Sequence, residues 1–190
     1  MYPWKPEQHQ RNLLIALAVL ENLKSDMKKS ILSKKESSVI KDIIRKNWPP
    51  SAHNFDNEKN FISYEIDKGQ RIICTKAFTA VQIDSETIVP FLGTVQILTA
   101  FPTVVVDMGA IRFVCNGAKI MRPGITKFDN FSKGDFVIVK DEKYSKILAI
   151  GRALEDSMIA SHNTKGYVLD NLHYVGDAFW ESYKEIDPKP

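Results

Sequence analysis

Between Asp107 and Ile125 the sequence interleaves three glycines, Gly109, Gly117 and Gly124, with Arg112, Asn116, Lys119 and Arg122. Guanidinium and ammonium groups can reach phosphates or stack on bases, and Lys127 and Lys133 lie where they would extend the basic patch. Glycine has no Cβ, so each of the three would let another backbone or a ligand approach closely. Such a patch permits a polyanion as partner without requiring one, and each cation taken singly reads equally well as solvated surface charge. Bond-making machinery is not evident: the chain has no GxSxG elbow, no GxxxxGK[ST] phosphate loop and no HExxH helix. Asp141-Glu142 and Glu155-Asp156 pair carboxylates, but they fall in expected turns and read as solvated charges. No catalytic residue is assigned and no enzyme is expected.

The elements that would position those residues follow from local pattern. Val104-Val105-Val106 reads as a buried strand, and Asp107 can cap a short helix over Met108–Cys115. That helix turns Ala110, Ile111 and Val114 inward, leaves Arg112 and Asn116 outward, and puts Lys119 just beyond its end. Gly117 suits the left-handed residue that terminates a helix. A short strand, Ala118–Met121, then leads to Arg122-Pro123-Gly124-Ile125, which predicts a type II turn with a positive φ at glycine. Gly134–Val139 and Lys146–Leu154 read as strands, the second with a bulge at Gly151. A last strand over about 166–175 precedes the aromatic Ala178-Phe179-Trp180.

Upstream, residues from Pro6 to about Ser30 predict one amphipathic helix, with Leu13, Leu17 and Leu20 along a stripe. A second helix is expected over Lys34–Lys46, started by a Ser33–Glu36 capping box and stopped at Trp48-Pro49-Pro50. Strands follow at Phe61–Ile66, Arg71–Thr75, Phe78–Ile83, Thr87–Phe91 and Val95–Leu98, with Asp67-Lys68-Gly69 as a hairpin turn. Helices followed by a meander make an α+β unit. A boundary near Ala100–Thr103 divides the chain into residues 1–102 and 103–190.

These positions carry a resemblance to a known family. Asp107-x-Gly109-Ala110-(x6)-Gly117-Ala118-x-Ile120-Met121-Arg122-Pro123-Gly124-Ile125, with Gly134-Asp135 and Ile150-Gly151-Arg152-Ala153, resembles the signature of the PUA domain. That domain is the RNA-binding module of pseudouridine synthases and archaeosine transglycosylases. Gly109–Val114 together with Leu172–Trp180 is similar to the malignant-T-cell-amplified-sequence family, whose yeast members are called translation machinery-associated proteins; the form is archaeal in type. The resemblance implies an α+β chain: an N-terminal pre-PUA unit and a mixed β pseudo-barrel with a helix beside it. RNA would be gripped between the short helix, the glycine loops and a neighbouring strand. It further implies RNA (tRNA or rRNA) and the small ribosomal subunit as partners in translation initiation, reinitiation or recycling. Eukaryotic members also work with density-regulated protein, which carries an initiation-factor-like domain. The alternative is an accessory RNA-binding factor in ribosome biogenesis or RNA modification.

Composition sets the outer limits. The 190 residues are 44% hydrophobic and 26% charged, which excludes disordered, collagen-like and coiled-coil chains. Net charge is +3, but it is uneven: residues 1–60 carry 11 Lys/Arg against 7 Asp/Glu, while residues 104–190 carry 12 of each. Two cysteines 41 residues apart, Cys74 and Cys115, and four dispersed histidines offer neither a disulfide framework nor a metal site. No cofactor is expected. The longest apolar run, Leu13–Leu20, is far short of the ~20 residues a membrane span needs, so no membrane is expected and the location is cytoplasmic.

Overall fold

The computed structural model describes residues 27–53, 55 and 57–186. A first sheet of five strands runs in chain order: β1 (Lys28–Ile31), β2 (Ile62–Asp67), β3 (Gln70–Cys74), β4 (Thr79–Gln82) and β5 (Ile88–Pro90), each antiparallel to the next. Helix α1 (Lys34–Asn47) packs beside β5 and buries Ile40 and Ile44, one turn apart on one face. Its capping box forms as expected. The Ser33 amide donates to Glu36 Oε2 at 2.9 Å, and the Glu36 amide donates to Ser33 Oγ at 3.2 Å. Trp48 ends the helix and turns into the core, where its Nε1–H donates to the Ile88 carbonyl at 2.8 Å.

Two expectations for this half need correction. The expected helix over 6–30 lies mostly outside the described residues, but its end is not helical: Lys28–Ile31 is a strand, registered from Lys28↔Glu65 to Ile31↔Ile62. Pairing with the open edge of β2 satisfies its backbone groups across the sheet rather than along the chain. Val95–Leu98 is not a strand but a one-turn helix, α2. A strand would point Ile97 and Leu98 to opposite faces; the helical turn buries both and leaves Val95 outside.

The second half contains β6 (Thr103–Val106), helix α3 (Ile111–Val114), β7 (Ile120–Met121), β8 (Ile125–Phe128), β9 (Phe136–Asp141), β10 (Ile147–Ala153), helix α4 (Ser157–His162), β11 (Tyr167–Tyr174) and helix α5 (Ala178–Lys184). The strands form one sheet in the order β7-β11-β10-β9-β6-β8, antiparallel except for the parallel pair β6–β9. The bulge expected at Gly151 is there, with a register shift between Ile150 and Gly151. A Cβ at Gly151 would stand 2.7 Å from the Asp170 carbonyl oxygen, so the strands can approach only because it is glycine. The architecture is α+β.

Alternation along β9 divides the interior. Val137 and Val139 face a core shared with Val104, Val106, Val168 and Leu169, whereas Phe136 and Ile138 join the core of the first sheet. The second sheet therefore encloses its own core on one face and presses the other on the first sheet. Helix α5 packs on β2 and β3, burying Phe179, and Trp180 stacks 5.6 Å from Phe91. Asp177 holds its start, accepting from the Trp180 amide at 2.8 Å and pairing with buried His173 Nδ1 at 2.6 Å. Arg152 also crosses the joint, donating to Thr87 Oγ1 at 2.9 Å.

Asp141 departs from the solvated turn charge expected of it. It is buried and accepts backbone hydrogens from Lys143, Tyr144 and Lys146, which hold its carboxyl below the usual carboxylate range; the Tyr144 bond is the largest cause. Cys74 is buried and unpaired, and desolvation pushes its thiol up to about 11. Among the described residues there is no His/Cys/Asp/Glu cluster able to hold a metal ion, and no helix long and apolar enough to cross a membrane.

Candidate nucleic-acid interface

The site is built from the turn that follows β6. The Asp107 amide donates to the Gly124 carbonyl at 2.9 Å, and Asp107 Oδ1 accepts from the Ala110 amide at 2.8 Å. This side-chain turn occupies Asp107–Ala110, so the helix is shorter than the predicted Met108–Cys115: α3 is only Ile111–Val114. It closes with a Schellman pattern, the Gly117 amide donating to Val114 and the Ala118 amide to Phe113, both at 3.0 Å. Gly117 has the expected positive φ, +80°. A Cβ there would also lie 2.9 Å from the Tyr174 ring, so two constraints select glycine.

Arg122–Gly124 is a 3-10 turn rather than a type II turn, and Gly124 has no positive φ. Space is what constrains it: a Cβ on Gly124 would stand 3.1 Å from Ala110 Cβ, across the junction of the two loops. Between these loops runs a groove of about 440 Å³. Gly109, Ala110 and Phe113 form one wall, and Ala118 to Met121 with Pro123 and Gly124 form the other. Its character is apolar, with Phe113 and Met121 in its lining each about half exposed.

Comparison with known proteins bears directly on this half. Residues 102–175 match the family model described as the PUA domain. This part of the chain is a PUA domain. An uncharacterized protein of Methanocaldococcus jannaschii is 46% identical over 78 residues, covering 40% of this chain and 48% of that one. Translation machinery-associated protein 20 of Saccharomyces cerevisiae is 36% identical over 88 residues, covering 43% and 49%. Malignant T-cell-amplified sequence 2 of Homo sapiens is 32% identical over 105 residues, covering 50% and 58%. The chain thus spans about half the length of the curated relatives it matches. Among solved structures, a hypothetical protein of Pyrococcus horikoshii is similar over 82% of this chain and 99% of that one, with a TM-score of 0.68 and 28% identity. A PUA domain structure from Aeropyrum pernix shares the fold, with a TM-score of 0.62, 20% identity and 82% and 90% coverage.

Within the PUA domain the expected site residues separate into four groups. Gly109, Lys119 and Gly124 line the groove. Arg112 is exposed beside it, its guanidinium 4.5 Å from the centre of the Phe113 ring. Lys119 Nζ meets Asp170 Oδ1 at 3.0 Å and lies 5.9 Å from the Tyr167 ring, with both charged side chains about half exposed. Arg122 sits differently from a phosphate-reaching cation. It is half-buried and donates to the Ile125 and Ser161 carbonyls at 3.0 and 3.1 Å, over the Phe128 ring. Asn116, Gly117, Lys127 and Lys133 do not line the groove; the lysines and Asn116 are exposed, and Gly117 is packed under Tyr174.

Sequence reasoning missed Phe113, Met121 and Asn171. Phe113 directly follows Arg112 on the outward side of a one-turn helix, and a large ring on a solvent-facing position was the available signal. Asn171 gave none, because its role lies across the sheet. Its Nδ2 donates to the Val114 carbonyl at 2.9 Å and the Ala118 carbonyl at 3.1 Å, bracing the α3–Gly117 corner against β11.

Proposed function

We propose that this chain is a non-catalytic RNA-binding protein that holds unpaired nucleotides in the PUA groove. In this reading it acts in the cytoplasm with the small ribosomal subunit and tRNA, in translation initiation, reinitiation or recycling. The observation that carries the reading is the open apolar groove with Phe113 and Met121 at its rim. Unstacked bases offer flat faces to such side chains, whereas a duplex presents mainly sugar and phosphate. Gly109 and Gly124 put no side chain into the groove from either wall, which allows close approach, and Arg112 extends the ring platform with a cation. The Lys119–Asp170 pair is exposed, so its attraction is worth less than about 1 kcal/mol, and a phosphate can displace the carboxylate. The name of the yeast relative, translation machinery-associated protein 20, supports the link to translation. Residues 103–190 carry the RNA contact in this scheme, and residues 1–102 form the companion unit.

The test joins two measurements. Replacing Phe113 by Ala removes a half-exposed ring, so the fold should persist, while RNA affinity falls by about 1–3 kcal/mol, roughly 5- to 150-fold. Unchanged affinity rejects the groove. Crosslinking the full chain to RNA in cells, then sequencing the bound species, should recover tRNA and small-subunit rRNA. Recovery of precursor rRNA instead would move the role to ribosome biogenesis.

A further inference from the structure

One cation, Lys119, lines the PUA groove and one more, Arg112, stands beside it, so the groove accounts for at most a few phosphate contacts. Lys119 is shared with Asp170, Arg122 is committed to two carbonyls, and residues 104–190 are neutral overall. The surplus charge lies elsewhere and is sharply localised. From Lys28 to Lys46 there are seven Lys/Arg and two Asp/Glu, a net +5, while the remainder of the chain is net −2.

The fold brings part of that segment together. Only Leu32 and Ser33 separate β1 from α1, so Lys28 on the edge strand and Lys35 in the first helical turn flank adjoining depressions, with Lys34 beside Lys35, while Lys29 points to the opposite face of the strand, over the Tyr64 ring. All four are exposed. Lys28 lines one depression of about 400 Å³ and Lys35 an adjoining one of about 420 Å³; both are also lined by Arg71, Gln82 and Ser85. Two carboxylates, Glu65 and Glu36, share this trough, and the second is engaged by the Ser33 cap. The placement of Lys34 and Lys35 runs against helix stability, because the positive end of the helix dipole repels cations in the first turn. Clustered like charges add to that repulsion. Folding alone does not select this arrangement; a polyanion laid along the trough relieves it.

We infer that the β1–α1 face is a second RNA-contacting surface, which binds phosphodiester backbone while the PUA groove holds bases. The inference rests on the RNA-binding reading above, and adds to it the partition of the work: charge from the first unit, base contact from the second. Gln82 is already engaged, accepting from Arg71 Nε at 2.7 Å and donating to the Asp84 carbonyl at 2.9 Å, so the contact falls to exposed lysine ammonium groups, compact charges that favour phosphate and give affinity without base preference.

The full chain, and a variant combining K28Q, K29Q, K34Q and K35Q, are titrated with a single-stranded RNA of about 20 nucleotides between about 50 and 200 mM salt. Each lost phosphate contact reduces the slope of log K against log salt by about 0.7, so the variant should be shallower by about 1.4 or more, the two trough lysines alone supplying that much. A control carrying K143Q, K146Q, K165Q and K184Q makes the same charge change at other exposed positions and should keep most of the slope. Equal slopes in both variants, or an unchanged slope in the first, overturn the inference. So does loss of binding to phosphatidylserine vesicles with RNA binding intact, which would assign the face to a lipid surface. Phe113→Ala keeps the two readings apart: it should lower affinity at unchanged slope, and its failure removes the groove without touching the slope result.

Discussion

Asn171 offers the most demanding test of how the groove is held. Its amide gives both hydrogens to carbonyls of the α3 corner, Val114 and Ala118, while its own Oδ1 is buried without a partner. Asn171→Ala removes two hydrogen bonds worth about 1 kcal/mol each and leaves two carbonyls less satisfied, a loss of about 2 kcal/mol. For a chain of this size, that lowers Tm by about 4–8 °C. Asn171→Asp preserves shape but turns both donors into acceptors, so a carboxylate faces two carbonyls; at neutral pH it should be less stable than the Ala variant. Acidification protonates the carboxyl, returns one donor, and should narrow or reverse that order. Thermal unfolding by circular dichroism at about pH 7 and about pH 4 reads both effects. RNA affinity should fall in parallel, because Ala118 is part of the groove wall. An Asn171→Ala variant within about 1 °C of the parent, or an Asp variant as stable as Ala at neutral pH, would refute the reasoning.

Three further outcomes follow from the geometry. Gly117→Ala should cost more than Gly69→Ala in urea denaturation: both glycines have φ near +80°, a strain of about 1–2 kcal/mol for alanine, but only Gly117 faces a ring at 2.9 Å. Equal losses would mean that Tyr174 gives way freely. Asp141 should make the protein acid-sensitive. Its folded pKa is lowered by backbone N–H donors, so its stabilisation is complete above the unfolded value of about 4 and is lost as pH falls through the lower folded value. Asp141→Asn should flatten stability against pH in that window, and an unchanged profile would contradict the assignment. Arg122→Met should lower stability by about 2–3 kcal/mol, since it orphans the Ile125 and Ser161 carbonyls, yet leave the salt slope of RNA binding intact. A shallower slope would show that Arg122 contacts phosphate after all.

Much of this protein was readable from local signals. The Ser33–Glu36 box, the Trp48-Pro49 stop, the bulge at Gly151 and the left-handed Gly117 each depend on a few neighbouring residues, and each is present. The glycine spacing from Asp107 to Ile125 likewise pointed to the PUA module before any coordinates. Local pattern failed where distant partners decided. Lys28–Ile31 became a strand because β2 offered an open edge, and Val95–Leu98 coiled because two adjacent apolar residues needed the same core. Arg122 was indistinguishable from a free cation until the Ser161 carbonyl, 39 residues away, was placed beside it.

The sequence by itself therefore determined the identity of the RNA-type module, the elements that frame it and the uneven distribution of charge. These rest on spacing, capping and composition, which act over a few residues or none. Only the tertiary structure decided which side chains meet in the groove, because Phe113 and Met121 come together through the closing of two loops, locked by the Gly124–Ala110 contact and braced by Asn171. It also set Lys28 of β1 and Lys35 of α1 against Arg71, a neighbour that strand pairing supplies and no local pattern contains.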